Sequence, residues 1–126
     1  MQIDPNYSRH IFNAPVDNGL YHQLELLSPS SIFVLADENT ATHCLPLMSK
    51  IDSGGVIVIP AGEQNKNLDS CQIIWDSLIR LRADRQSLLL NVGGGMICDL
   101  GGFAASCYQR GISFAHIATS LLAVAD

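Results

Sequence analysis

A chain of 126 residues with a formal net charge of −5 has room for one domain with a real hydrophobic core and is too short for two. Its seven Lys and Arg are scattered and outnumbered by twelve Asp and Glu, which argues against nucleic acid and anionic membrane surfaces as partners; a small anionic ligand would have to be held by local features. No apolar stretch reaches the roughly 18 residues of a membrane span, and Met1 to Pro15 lacks the basic-then-apolar plan of a signal peptide, so a cytoplasmic location is expected.

In chain order, Arg9 to Asn13 is compatible with a short edge strand, although its role stays open. Asp17 to Leu27 reads as a helix with Asp17 as N-cap and Leu20, Leu24 and Leu27 on one face, ended by Pro29. Ser31 to Ala36 combines β-branched and aromatic residues and is expected to be the first buried parallel strand. Thr40 to Lys50 reads as a helix interrupted or bent at Pro46, which cannot donate to the backbone ladder. Val56 to Ile59 is a second apolar strand closed by Pro60, and Leu68 to Arg82 an amphipathic helix with Cys71, Ile74, Trp75, Leu78 and Leu81 on its apolar face. A third strand, Leu88 to Val92, runs into Gly93-Gly94-Gly95, followed by a helix over Met96 to Tyr108, a strand over Ile112 to His116 and the start of a further helix at Thr119 to Ala125. Strands and helices alternating in this way predict an α/β fold, a Rossmann-like parallel sheet with helices on both faces. The pattern stops inside the last helix, which suggests a fragment of a longer protein.

Ligands of such sheets lie beyond the carboxyl ends of the strands. The polar clusters fall there: Asp37-Glu38-Asn39, Glu63 to Lys66, Gly93 to Asp99 and Thr119-Ser120. Glycines after a buried strand can take positive φ and bring backbone N–H groups close to an anion, helped by the positive end of the following helix. GGGMICD nonetheless departs from the dinucleotide pattern GxGxxG, because Cys98 occupies the third glycine position; taken alone, a tight turn with close helix packing explains it as well. Asp99 reads either as a first-turn cap or as an acceptor for a ribose or amide group. Lys66 shares a loop with Glu63, which as a solvated pair needs no function, but beside a phosphate it would supply a point charge. Arg110 follows a helix end, where a cation complements the dipole. His116 reads as a core histidine, and His10, His22 and His43 lack metal-like spacing. Cys44, Cys71, Cys98 and Cys107 form no CxxC pair and are expected to be reduced and buried.

Three blocks, GEQNKN at Gly62 to Asn67, GGGMICDLGGFAASCYQRG at Gly93 to Gly111 and ATSLLAVAD at Ala118 to Asp126, stand in an order and spacing that resemble the 3-dehydroquinate synthase family. The resemblance runs from about Ser31 to the last residue and covers only the N-terminal, NAD-binding domain, so residues 1–126 are expected to form that one domain, the N-terminal part of the dehydroquinate synthase-like fold. It implies a lyase of the shikimate pathway, which leads to chorismate and the aromatic amino acids. The family converts 3-deoxy-D-arabino-heptulosonate 7-phosphate to 3-dehydroquinate and phosphate with NAD and a divalent metal, zinc or cobalt. A ring hydroxyl is transiently oxidised, phosphate is eliminated, and re-reduction, ring opening and an intramolecular aldol step follow.

The same resemblance implies roles for individual residues. Asp37 and Asn39 would face the adenosine end of NAD, and Glu63 and Lys66 the ribose and its neighbours. Gly94, Gly95, Met96 and Asp99 would line the pyrophosphate and nicotinamide region, beside Thr119 and Ser120. Asp126 would contact substrate hydroxyls, and Arg110 would reach the substrate phosphate of a partner subunit, implying a homodimer. The chain departs from the usual pattern at Cys98 in place of glycine, Ala118 in place of proline, Ser120 in place of threonine and Ala123-Val124-Ala125 in place of SQV. The metal ligands, a glutamate and two histidines, would belong to a C-terminal helical domain, and the chain alone is expected to be inactive. Other sugar phosphate cyclases of the 2-deoxy-scyllo-inosose or 2-epi-5-epi-valiolone synthase type, or a non-catalytic nucleotide-binding module, are the alternatives. Glycerol dehydrogenases and iron-type alcohol dehydrogenases are more distant.

Overall fold

The structure is a computed structural model that describes residues 18–117. The edge strand expected at Arg9 to Asn13, the cap Asp17 and the helix from Thr119 lie outside the described residues. Helix α1 (Asn18–Leu27) leads to β1 (Ile32–Asp37), α2 (Glu38–His43), β2 (Gly55–Ile59), α3 (Leu68–Arg80), β3 (Leu88–Val92), α4 (Gly95–Cys107) and β4 (Ser113–Ile117). The four strands form one parallel sheet in the order β2-β1-β3-β4.

Alternation along the strands sends successive side chains to opposite faces and builds two cores. Phe33, Leu35, Ile57, Ile59 and Leu89 pack with Ile74 and Leu78 of α3 and Ile97 and Ala104 of α4. On the other face Val34, Leu88, Leu90 and Val92 pack with Leu24 of α1 and with Cys44 and Met48. β3, central and covered on both sides, is buried at all five positions, as a parallel strand between helical layers must be.

Several boundaries differ from the sequence expectation for local reasons. The helix expected over Thr40 to Lys50 is interrupted, as the proline allows, into α2 and a 3₁₀ turn over Leu45–Met48, but its start differs. Its start moves forward because Asp37 caps it: the Asp37 carboxylate accepts from the amides of Asn39 and Thr40, both at 2.8 Å, while the Thr40 hydroxyl accepts from the Asp37 amide at 3.0 Å. It breaks before Pro46, which lies in the first turn of the 3₁₀ segment, where a missing N–H costs nothing. α3 ends at Arg80 rather than Arg82, whose φ of 63° is left-handed. Two cysteines also depart from expectation: Cys44 and Cys71 are buried, Cys98 is half-buried and Cys107 is exposed.

Candidate functional site

The chain leaves β1 for β2 on one side of the sheet and β3 for β4 on the other. The carboxyl ends of β1 and β3, adjacent through the Ala36–Val92 register pair, therefore flank the switch point of the topology. A crevice opens there because the two outgoing connections diverge. Asp37 and α2 follow β1 at this point, and the Gly93–Gly95 turn with the start of α4 follows β3.

The glycines differ among themselves. None of the three has the positive φ that the sequence allowed, since α4 starts at Gly95 with Gly94 as an extended N-cap (φ −83°) and no left-handed step intervenes. Gly93 is buried, and a Cβ there would lie 2.8 Å from Cβ of Ile97, so packing explains it. A Cβ on Gly94 or Gly95 would meet nothing within 4 Å. Neither conformation nor packing within the described residues requires glycine at these two positions. The open N-terminus of a 13-residue helix, without a side-chain cap, leaves backbone N–H groups and the positive dipole end facing the crevice.

Lys66 comes from the loop after β2. Gly62, with φ 111°, bends that loop, and its next residues close a 3₁₀ turn through Asn65 N–H to the Gly62 carbonyl at 3.0 Å. Asn67 then caps α3 by accepting from the Ser70 amide at 2.9 Å. These fixed points hold Lys66 so that its Nζ donates to Oδ2 of Asp99 at 2.9 Å and lies 3.6 Å from Oε1 of Glu63. The hydrogen bond to Asp99, then the charges of Asp99 and Glu63, push the Lys66 pKa upward, so the amine stays charged. α4 begins one residue earlier than expected, which places Asp99 in its second turn. Asp99 accordingly does not cap the helix but pairs with Lys66. Leu68, Cys71 and Phe103 line an apolar groove beside this pair.

On the β1 side every hydrogen bond that the described residues make to the Asp37 carboxylate falls on Oδ1. Asn39 is exposed at the same edge. Glu38, the first residue of α2 and a member of the strand-end cluster, ties that helix to the loop after β2 by accepting from the Ala61 amide at 3.0 Å. Met96 is half-buried and packs on the core under the turn. Cys98 aims its thiol back at the Gly93 carbonyl, 3.7 Å away, and burial followed by the Asp99 charge raises its pKa; it acts as a weak internal tie. Thr119, Ser120 and Asp126 lie outside the described residues. Arg110 does not join the group. It follows α4, three residues before the first residue of β4, and so lies at the amino edge, about 20 Å along the helix from Gly95.

A second polar feature was missed from sequence: Asn91, wholly buried in β3, has its amide 3.2 Å from Nδ1 of His116, while its Oδ1 has no partner among the described residues. Gly101 of α4 makes room for it, because a Cβ there would collide with the Asn91 side chain. A lone Asn inside an apolar run and a glycine at mid-helix were the available signals.

A parallel sheet with its polar side chains and an open glycine turn gathered at the switch point defines a doubly wound α/β domain of the kind that takes ligands beyond its strand ends. Residues 56–126 match the 3-dehydroquinate synthase N-terminal family, and the chain belongs to that family. It is 42% identical over 106 residues to the 3-dehydroquinate synthase of Parabacteroides distasonis, covering 82% of this chain and 30% of that protein. It is 36% identical over 129 residues to that of Campylobacter jejuni, covering all of this chain and 36% of that protein. The chain thus spans about a third of the length of these curated relatives. Among solved structures, the fold is similar to a 2-epi-5-epi-valiolone synthase from Streptomyces hygroscopicus with NAD+ and Zn2+ bound, at a TM-score of 0.69 and 21% identity over 94% of this chain and 34% of that one. It is also similar to a 2-deoxy-scyllo-inosose synthase complexed with carbaglucose-6-phosphate, NAD+ and Co2+, at a TM-score of 0.64 and 20% identity over 88% of this chain and 32% of that one.

Proposed function

We propose that the chain is the NAD-binding domain, spanning residues 1–126, of a 3-dehydroquinate synthase acting on 3-deoxy-D-arabino-heptulosonate 7-phosphate in the cytoplasm. The observation that carries this reading is the open space at Gly94 and Gly95, at the switch point and on a helix N-terminus, where neither the backbone nor packing among the described residues demands glycine. A diphosphate that has to approach the backbone does demand it.

In this reading Gly94, Gly95 and the first amides of α4 hold the pyrophosphate, with Met96 beneath them. Asp37, whose Oδ2 takes no hydrogen bond from the described residues, and Asn39 hold the adenosine ribose. Lys66, oriented by Glu63 and Asp99, supplies the positive charge that an acidic domain otherwise lacks there. Thr119 and Ser120 complete the cofactor wall, Asp126 meets substrate hydroxyls, and Arg110 serves the substrate phosphate of a partner subunit in a homodimer. NAD, when bound, supplies reversible hydride acceptance at the ring hydroxyl. Among the described residues no group of three or more His, Cys, Asp or Glu is placed to hold a metal, so the zinc or cobalt of the complete enzyme would take its ligands from elsewhere in the polypeptide.

The structural likeness to two other sugar phosphate cyclases supports a second reading, in which the complete protein closes a hexose or heptose phosphate; the curated relatives at 36 to 42% identity favour the dehydroquinate reading. Phosphate release by the complete polypeptide from the heptulosonate phosphate, with NAD and zinc supplied, tests the choice. Release is expected. Turnover of other sugar phosphates instead would move the assignment to a different cyclase, and NAD binding with no turnover of any sugar phosphate would leave a non-catalytic nucleotide-binding module.

A further inference from the structure

The least relaxed stretch of backbone among the described residues is Gln109-Arg110-Gly111, with φ of 46°, 68° and 111° in succession. Helix termination does not require it. A helix end commonly needs a single left-handed residue, usually glycine, directly after the last turn. Here α4 ends at Cys107 and Tyr108 is already extended, at φ −72° and ψ 121°, before the left-handed run begins. Two exposed, non-glycine residues hold a conformation that glycine would adopt freely. Such a run persists only when its surroundings fix it from both sides.

The anchors are on either flank. Before the run, the buried Tyr108 donates its phenol hydrogen to the Ala83 carbonyl in the α3–β3 connection at 2.8 Å. After it, the buried Ile112 donates its amide to the Ala105 carbonyl of α4 at 2.9 Å. Across it, the Gly111 amide closes on the Tyr108 carbonyl at 2.7 Å. Both exposed residues are thus clamped between two buried ones, and the direction in which Arg110 leaves the surface is set by the clamp.

We infer that Tyr108 is a positioning residue for Arg110: its phenol bond to Ala83 holds the left-handed Gln109-Arg110-Gly111 turn and thereby aims the guanidinium at its anion. The inference rests on the proposed reading that this anion is the substrate phosphate. The backbone amide of Arg110 and its side chain are presented together by a turn that cannot relax while both flanks are fixed. Removing one hydroxyl frees the turn to return to ordinary φ values and moves the guanidinium away.

The test uses the complete polypeptide and four variants, Tyr108→Phe, Gln109→Val, Gln109→Gly and Arg110→Ala, with Tyr108→Phe also combined with Arg110→Ala. Tyr108→Phe and Gln109→Val, the latter because a β-branched residue resists positive φ, are expected to raise KM for the phosphorylated substrate by about five- to tenfold with kcat within about twofold. Gln109→Gly, which adopts the turn freely, is expected to stay near the parent, and Tyr108→Phe is expected to add nothing once Arg110 is alanine. An unchanged KM in Tyr108→Phe and Gln109→Val while Arg110→Ala raises it, or effects of Tyr108→Phe and Arg110→Ala that multiply, would overturn the inference. If Arg110→Ala leaves KM unchanged, the phosphate reading fails instead. Exchange of the Gly111 amide then decides: at least about tenfold faster exchange in Tyr108→Phe upholds the clamp, and unchanged protection overturns it.

Discussion

Nζ of Lys66 and Oδ2 of Asp99 are 2.9 Å apart, an ion pair that joins the loop after β2 to the second turn of α4. Both partners are largely exposed, with side-chain accessibilities of 42% and 63%, so the pair adds little to folding. Its significance is positional. Lys66→Met is expected to leave the melting temperature within about 1 °C and to weaken NAD binding by about tenfold, with the parent's affinity falling as salt is raised. Calorimetric titration at two ionic strengths checks this; equal affinity of parent and variant would remove Lys66 from the site.

The three glycines separate packing from binding. Gly93→Ala forces a Cβ against Ile97 and is expected to cost about 1 to 3 kcal/mol of stability. Gly94→Ala and Gly95→Ala place theirs in open space and are expected to unfold with the parent, yet to lose at least about tenfold in NAD affinity, because the new methyl occupies the ligand's approach. Thermal unfolding paired with NAD titration distinguishes the two effects, and undiminished affinity in both open-space variants would count against a cofactor cradle.

Asn91 and Gly101 form a size-matched pair. Gly101→Ala alone is expected to destabilise by about 2 kcal/mol, since the added carbon meets the Asn91 side chain. In an Asn91→Ala background the same change should be nearly neutral, a coupling of about 1 to 2 kcal/mol in a double-mutant cycle. Urea midpoints of the four proteins measure it, and additive effects would mean that the two residues do not meet.

His116 links stability to pH. Burial holds its pKa below the ordinary 6.5, the opposing pull of Asp99 being the smaller. Because the folded state disfavours the proton relative to the unfolded chain, the histidine's contribution is complete above about pH 6.5 and is lost as pH falls from there through the lowered folded value. Accepting the Asn91 amide at Nδ1 likewise needs the neutral ring. His116→Gln should flatten the melting profile between pH 7 and 5 relative to the parent; parallel profiles would exclude this contribution.

Arg110→Ala, at an exposed position, should leave the fold intact and raise KM for the phosphorylated substrate by at least about tenfold in the complete polypeptide, read in the phosphate-release assay.

The parallel sheet was legible because its strands are short apolar runs separated by helical periodicity, and Leu88 to Val92, buried at every position, is the clearest of them. Clustering of polar residues at strand ends was legible for the same reason, since strand ends are visible where apolar runs stop. What escaped was set by single tertiary contacts. The helix after β1 starts two residues early because Asp37 and Thr40 reciprocate hydrogen bonds. Asp99 became an ion-pair partner because α4 starts one residue sooner than the apolar pattern indicates. Glu38 reaching Ala61 and Asn91 reaching His116 join residues 23 and 25 positions apart, separations that no local pattern encodes. The exposure of Cys107 depends on which side of α4 meets the sheet, and its largely apolar and small residues mark that side weakly.

α4 joins two distant places on the domain. Its first residues form the glycine wall at one edge of the sheet, and its last turn passes directly into the clamp that carries Arg110 at the other. Midway, Gly101 is pressed on Asn91 with no room for even a methyl group. α4 packs on the sheet along its length, through Ile97, Leu100, Ala104 and Ala105, so it serves as a ruler that keeps Gly95 and Tyr108 about 20 Å apart on opposite edges of the sheet.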